Sequence, residues 1–102
     1  VVLDTSEGDR ISEALGDKKA AILKNHGLLT TGKTVDEAAW GFLSMDRCCQ
    51  SQLLAETVGQ MERISDEVAE LTKGQVGSPI GMWMSYQPIY DLMLEKDDSF
   101  LG

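Results

Sequence analysis

Residues 20–55, AAILKNHGLLTTGKTVDEAAWGFLSMDRCCQSQLLA, decide the fold of this chain. Two short apolar runs within them, residues 20–23 and 28–31, flank Lys24-Asn25-His26-Gly27. Short apolar runs bounded by turn residues predict strands. Asn tolerates and Gly freely adopts the left-handed backbone that a tight turn requires. The spacing therefore predicts two neighbouring antiparallel strands, with His26, the only histidine, held at their junction.

A helix-start pattern follows the second run. Thr34 and Glu37 fit a capping box, in which the threonine hydroxyl accepts from the N–H of residue 37 and the glutamate reaches back to the N–H of residue 34. Apolar residues then recur every three or four positions and widen into part of a second face. We expect a long core helix that ends between Thr57 and Gly59 and is covered on more than one side. Its first apolar face comprises Val35, Ala38, Phe42, Met45, Cys49 and Leu53.

The segments before this stretch are shorter. Residues 1–3, Val-Val-Leu, are β-branched and apolar and predict a third strand. Asp4, Thr5 and Ser6 offer capping oxygens for a short helix over residues 10–15, which Gly16 ends.

Two more helices are predicted after the long one. Residues 65–67, Ser-Asp-Glu, begin a short helix that stops near Gly74. Ser78-Pro79 places a capping hydroxyl before a proline that suits the first helical position. The amphipathic segment 80–94 follows, and Pro88 within it predicts a kink or a break because proline has no N–H to donate.

Composition narrows the class of protein. The 102 residues are 42% hydrophobic and 25% charged, as in a single globular domain. A net charge of −8 argues against a nucleic-acid partner and against a basic membrane-surface helix. No apolar run is long enough to cross a bilayer. The chain begins at Val1, inside an apolar run and without an initiator Met, so we expect it to be a piece of a longer protein.

The two cysteines indicate the cellular compartment and do not indicate a catalytic role. Cys48 and Cys49 are adjacent, which excludes a loop-closing disulfide, and a bridge between neighbours would be strained. Free thiols in a helix suit a reducing cytosol, so we expect a cytoplasmic protein. Burial of both thiols in the packing is the expected role.

Three further groups could carry chemistry. His26 is either a metal ligand or a histidine that makes a hydrogen bond at a turn, and spacing alone favours the turn because a zinc site needs more ligands. Asp46-Arg47 must find partners on other residues, structural or at a subunit contact. Residues 82–84, Met-Trp-Met, could line a pocket but fit a core better. Gly32-Lys33-Thr34 lacks the earlier glycine of a phosphate loop, so we exclude it as a nucleotide site.

Several of these residues together resemble the class II aldolase/adducin family. The resemblance is carried by Asn25-His26-Gly27, by Gly32 with Thr34, by Glu37-Ala38 and by Asp46-Arg47. The lead-in 1–16 and the segment 86–91, Tyr-Gln-Pro-Ile-Tyr-Asp, are also similar to the family, the latter especially to its eukaryotic members.

The resemblance implies an α/β fold. The family domain is a three-layer α/β/α sandwich with a mainly antiparallel sheet, of which residues 1–102 would form one partial domain, the C-terminal half, with about three strands and four helices. It also implies a divalent metal, zinc in most members, with His26 as one ligand. The family's His-x-His ligands, acid/base carboxylate and phosphate loop lie upstream and are absent from this sequence. No catalytic residue is therefore assigned within it.

Three functions follow as expectations. The first is a fragment of a zinc-dependent aldehyde-lyase, or a related epimerase or dehydratase, that acts on sugar phosphates or related carbohydrates in a homo-oligomer. The second is an adducin-like scaffold that oligomerises and binds the actin/spectrin cytoskeleton, and the third is a remnant with a purely structural role. In each case we expect this chain alone to bind zinc weakly, to leave sugar phosphates uncleaved, and to expose an apolar patch through which it self-associates.

Overall fold

The computed structural model describes residues 5–102, which fold into helices and one small antiparallel sheet. The elements are α1 Thr5–Leu15, β1 Ala20–Leu23, β2 Gly27–Thr30, α2 Val35–Glu56, α3 Asp66–Val76, α4 Pro79–Lys96 and a 3-10 turn Ser99–Leu101. The predicted α/β class and the four α-helices are confirmed. The third strand was predicted over residues 1–3, which lie outside the described residues. Within 5–102 the sheet has two strands, and a three-layer sandwich is not seen.

The β1–β2 hairpin forms where the sequence predicts it. Its register pairs Ala20 with Thr30 and Leu23 with Gly27. β2 begins and ends one residue earlier than expected, because Gly27 already pairs with the end of β1. Asn25 has φ 61° and Gly27 has φ 133°, so both turn residues occupy the positive-φ region, which Asn tolerates and which Gly adopts freely because it has no Cβ.

The start of α2 confirms half of the predicted capping box. Thr34 has extended backbone angles, φ −133° and ψ 162°, and its Oγ1 accepts from the N–H of Glu37 at 3.2 Å. The Glu37 carboxylate does not accept from the N–H of Thr34, as the second half of a capping box would require. It accepts from the N–H of Lys33 at 2.8 Å and binds the amino group of Lys19, since a buried carboxylate is stabilised by a cation as well as by an N–H. The helix ends at Glu56, next to the predicted Thr57.

Two predicted helix boundaries are wrong. Within the described residues α1 is Thr5–Leu15, longer than the predicted 10–15, so Thr5 and Ser6 lie inside the helix where capping was expected. Asp4, the third expected capping residue, lies outside the described residues. Gly16 (φ 53°) follows the end of the helix as predicted. α3 continues through Gly74 to Val76. Gly77 follows its end, and the N–H of Gly77 donates to the carbonyl of Lys73 at 2.9 Å. A glycine inside a helix lowers its stability by only about 1 kcal/mol. The helix can therefore continue through Gly74.

Pro88 does not break α4, which is continuous from Pro79 to Lys96. The proline has no N–H to donate to the helix, yet residues on both sides of it remain helical. The predicted break is therefore wrong, and the alternative, a kink, stays a prediction. The N-terminus is as predicted: the Ser78 hydroxyl accepts from the N–H of Gly81 at 3.1 Å.

Packing is concentrated around α2. The helix contacts α4 and β2, and α1 contacts β1. Among residues 5–102, Met82 (8% exposed) is the buried apolar residue and Glu37 (3%) the buried charged one. The radius of gyration, 16.2 Å, exceeds the roughly 13 Å of a compact domain of this length. The chain is therefore open, with a very small core.

The cover of α2, predicted on more than one side, is incomplete in the described residues. Phe42 is 43% exposed and Leu53 is 65% exposed, although α4 and β2 both contact the helix. Exposed apolar side chains also occur along α3 and α4, including Leu71 and Ile80. The expected exposed apolar surface is thus present, and self-association through it stays a prediction. No helix within residues 5–102 is long and apolar enough to cross a membrane.

Candidate metal-ligating site

His26 lies at the tip of the β1–β2 hairpin, and its side chain is exposed. Its backbone N–H donates to the carbonyl of Leu23 at 3.0 Å, which closes the turn. The positive φ angles of Asn25 and Gly27 on either side fix the path of the backbone through the turn. The local sequence thus holds an imidazole, a common ligand for divalent metals, at a defined point.

A complete metal centre does not fit the described residues. Among residues 5–102, no three His, Cys, Asp or Glu side chains are grouped so that they could hold one ion. His26 offers a single nitrogen donor, whereas a zinc site uses three or four protein ligands. The donor chemistry of His26 suits a divalent metal, but its companions are not found in the described part of the chain.

A charged cluster lies at the opposite end of the hairpin from His26. The amino group of Lys19, the residue before β1, is 2.6 Å from Glu37 Oε1 and 3.3 Å from the carbonyl of Gly77. It also approaches the sulfur of Met82 at 3.8 Å. The hydrogen bond from Lys19, followed by that from the Lys33 N–H, lowers the pKa of Glu37 below its usual value. Glu37 is therefore held as a carboxylate.

One further bond ties the hairpin to α2. The hydroxyl of Thr30, the last residue of β2, donates to the carbonyl of Ala38 at 2.9 Å. At Gly32 the chain passes so close to α2 that a Cβ would lie 2.8 Å from the nitrogen of Ala38. The two strands and the first turn of α2 therefore form one packed unit that carries His26.

The sequence model of the class II aldolase and adducin N-terminal domain matches residues 2–53, just over half of the chain. The chain belongs to this family. The match contains the whole hairpin with His26 and most of α2.

Two bacterial relatives match almost the whole chain. "Decarboxylase NovR" of Streptomyces niveus is 48% identical over 97 residues, 95% of this chain and 36% of the relative. The "4-hydroxy-3-prenylphenylpyruvate oxygenase/4-hydroxy-3-prenylbenzoate synthase" of Streptomyces roseochromogenus subsp. oscitans is 47% identical over 97 residues, 95% of this chain and 35% of the relative.

A solved structure shares the fold. The L-fuculose 1-phosphate aldolase from Glaciozyma antarctica PI12 superposes with a TM-score of 0.81 and is 37% identical, over 85% of this chain and 35% of that one. This chain spans about a third of the length of the relatives it matches. The fold of this family segment is therefore shown, and the activity of a whole protein is a matter for proposal.

The other family motif residues on α2 are not brought to His26. The Asp46 carboxylate accepts from the amide of Gln50 one turn along the same helix at 2.9 Å, so its partner is local. Arg47 and Cys48 line an open cleft of about 920 Å³ with Arg63, which comes from the loop before α3. Cys48 is exposed, so the expected burial of both thiols is wrong for it, whereas Cys49 is half-buried.

The Met-Trp-Met segment is divided by the face of α4 on which each residue lies. Met82 points toward α2 and is buried, while Trp83 is 47% exposed and Met84 is 61% exposed. The predicted core role is therefore confirmed for Met82 and wrong for the two that follow it. Successive helical residues are about 100° apart, so only one of the three faces the same neighbour.

Lys19 was missed as a site residue by sequence reasoning, and Glu37 was identified only as a cap and as part of the family resemblance. The two residues are 18 positions apart, and no helical or strand period connects them. From the sequence alone, Lys19 is interpreted as a polar turn residue, because it lies directly before a strand. The signal that could have singled out Glu37 is its place between Thr34 and a continuous apolar face, where an acidic side chain needs a partner.

Proposed function

We propose that this chain is part of a metal-dependent carbon–carbon lyase domain, to which His26 contributes one metal ligand. The observation that carries the proposal is the Asn25-His26-Gly27 turn, whose backbone angles place an exposed imidazole at the tip of a hairpin. Support comes from the family match and from the likeness to a fuculose-phosphate aldolase. The remaining ligands come from residues outside the described part of the chain, as in a domain that extends to the three-layer sandwich of the family.

The chemistry proposed is cleavage of a bond next to a carbonyl. A divalent metal in such a site, zinc being our proposal, supplies Lewis-acid polarisation of that carbonyl. Within this chain, the hairpin orients the imidazole and the Lys19–Glu37 ion pair holds the base of the hairpin. A sugar phosphate, as in the name of the aldolase, is the first candidate substrate.

Decarboxylation is the second candidate reaction. Aldol cleavage and decarboxylation both break a carbon–carbon bond whose electrons are accepted by an adjacent carbonyl, so one metal site suits both. The observation that favours it is identity, since the Streptomyces decarboxylase and oxygenase/synthase are 48% and 47% identical to this chain and the aldolase is 37% identical. An adducin-like scaffold has support only in the family's name. Homo-oligomerisation and a cytoplasmic location complete the proposal.

Two chimeric proteins test the reaction and the ligand together. The matching segment of the Streptomyces niveus decarboxylase, and separately that of the Glaciozyma aldolase, is replaced by this chain, either wild-type or with His26→Ala. Each chimera is assayed with the substrate of its parent, and its metal is counted by mass spectrometry. We expect activity and close to one equivalent of metal per site with His26, and loss of both with His26→Ala.

The experiment includes one control variant, and one result would contradict the proposal. Arg10→Ala changes an exposed residue of α1 that pairs locally with Glu7 and should leave both metal and activity unchanged. Retention of full metal and activity by the His26→Ala chimeras would exclude His26 as a ligand. Activity in one chimera and inactivity in the other would decide between the two reactions.

A further inference from the structure

We propose that Lys19 and Glu37 are positioning residues, whose ion pair fixes the direction of the His26 hairpin relative to α2 and α4. The pair joins the base of the hairpin to both helices. Its role in orienting a metal ligand rests on the proposed function, whereas the orientation of the hairpin itself does not.

The backbone and the side chain of Lys19 belong to two different parts of the fold. Its carbonyl accepts from the Thr31 N–H at 2.8 Å, which extends the β1–β2 ladder at the end away from His26. Its amino group leaves the hairpin and reaches Glu37 on α2 and the carbonyl of Gly77 before α4. A change in the direction of the hairpin must therefore stretch or break these bonds.

Glu37 fixes the direction of the ion pair, because each of its two carboxylate oxygens accepts a hydrogen bond. Oε1 accepts from the Lys19 amino group at 2.6 Å, and Oε2 accepts from the Lys33 N–H at 2.8 Å. Its side chain is 4% exposed, whereas that of Lys19 is 53% exposed. A buried carboxylate that loses either bond is penalised, so few other arrangements are tolerated. Apolar contact has no such direction.

The Thr30–Ala38 bond ties β2 to α2, and the Lys19–Glu37 pair adds a second constraint at the start of β1. A two-stranded hairpin is marginally stable by itself, and the outer face of β1 is open, with Ile22 68% exposed. Four strand residues separate Lys19 from the turn, a length of about 13 Å. Over that length a tilt of about 5° at the base moves the tip by about 1 Å, while metal ligands must be held to within about 0.5 Å. Small motions at Lys19 are therefore large at His26.

Residual dipolar couplings of the ¹⁵N-labelled chain measure this orientation without any metal. In the wild type, amides of the hairpin and of α2 should fit one alignment tensor. Lys19→Met keeps the length of the side chain and removes its charge, and Glu37→Gln keeps an oxygen for the Lys33 N–H. We expect both variants to retain helical circular dichroism and to lose the common tensor, with lower order in the hairpin.

Two further variants separate positioning from general stability. Lys19→Arg keeps the cation and should restore the common tensor. Asp17→Asn removes the exposed 2.7 Å pair with Lys18, which joins two adjacent residues, and should change nothing. A common tensor in folded Lys19→Met and Glu37→Gln would overturn the proposal, and so would loss of helical signal in both. A chimera that binds no metal through His26 would instead overturn the proposed function and leave this result standing.

Discussion

Substitution of Gly32 by alanine tests the close approach between the β2–α2 connection and α2. A Cβ at this position would lie 2.8 Å from the nitrogen of Ala38, 2.8 Å from Glu37 Cβ and 3.0 Å from Glu37 Cγ. The first two of these atoms belong to the first turn of α2 and cannot rotate away. The added methyl group must therefore push the connection off the helix and pull the Glu37 carboxylate from the Lys33 N–H.

The size of the effect follows from two opposing terms. Overpacking of this kind costs about 1–3 kcal/mol. Alanine restricts the unfolded chain more than glycine does, which returns about 0.4–1 kcal/mol. We expect a net loss of about 1–2 kcal/mol in the free energy of unfolding. With a urea m-value of about 1–3 kcal/mol/M, the midpoint should fall by roughly 0.3–2 M.

The assay is urea unfolding followed by circular dichroism at 222 nm, with Gly74→Ala as the matched control. Apart from its chain neighbours and the backbone of α3 itself, no atom lies within 4 Å of a Cβ at Gly74. The same chemical change there should raise stability by about 0.5–1 kcal/mol. A Gly32→Ala midpoint equal to or above that of the wild type would refute the close approach at α2.

Three more predictions concern the cap, the core and the pH dependence. Thr34→Ala removes the hydroxyl that accepts from the Glu37 N–H and should cost about 1 kcal/mol in urea unfolding; an unchanged midpoint would speak against this cap. Met82→Ala should cost about 2 kcal/mol, the low end for a core residue because its surroundings are open; a cost no larger than that of Met84→Ala, at an exposed position, would contradict its burial. Glu37 has a folded pKa below its ordinary 4.5, so its stabilising contribution should be complete above that pH and be lost as the pH falls through the folded pKa. Thermal unfolding between pH 3 and 6 should show this dependence reduced in Glu37→Gln, and identical profiles would count against the Lys19–Glu37 pair.

Local features of this chain could be predicted from the sequence because their causes are local. The Asn25-His26-Gly27 turn forms where Asn and Gly permit positive φ, and Ser78 caps α4 beside a suitable proline. Each of these signals lies within a few residues of the structure it determines. The family resemblance, now confirmed, depended on the same short motifs.

Features that join distant residues could not be predicted in this way. The Lys19–Glu37 pair spans 18 positions, and the sequence offers no period that links them. The apolar pattern of α2 shows which faces avoid water but not which element covers them, so the exposure of Leu53 was not foreseen. Pro88 was expected to kink or break α4, and the helix is unbroken across it.

A zinc titration of this chain tests the central claim most directly, namely that His26 is one ligand of a metal site and not the whole of it. The imidazole Cε1–H resonance of His26, the only histidine, is followed by NMR in the wild type and zinc is added to His26→Ala in parallel. We predict a weak response confined to His26, with a Kd on the order of 1 mM or weaker, because one imidazole supplies a small part of a zinc coordination shell. A tight stoichiometric complex, or zinc binding that leaves the His26 resonance unmoved, would contradict the account.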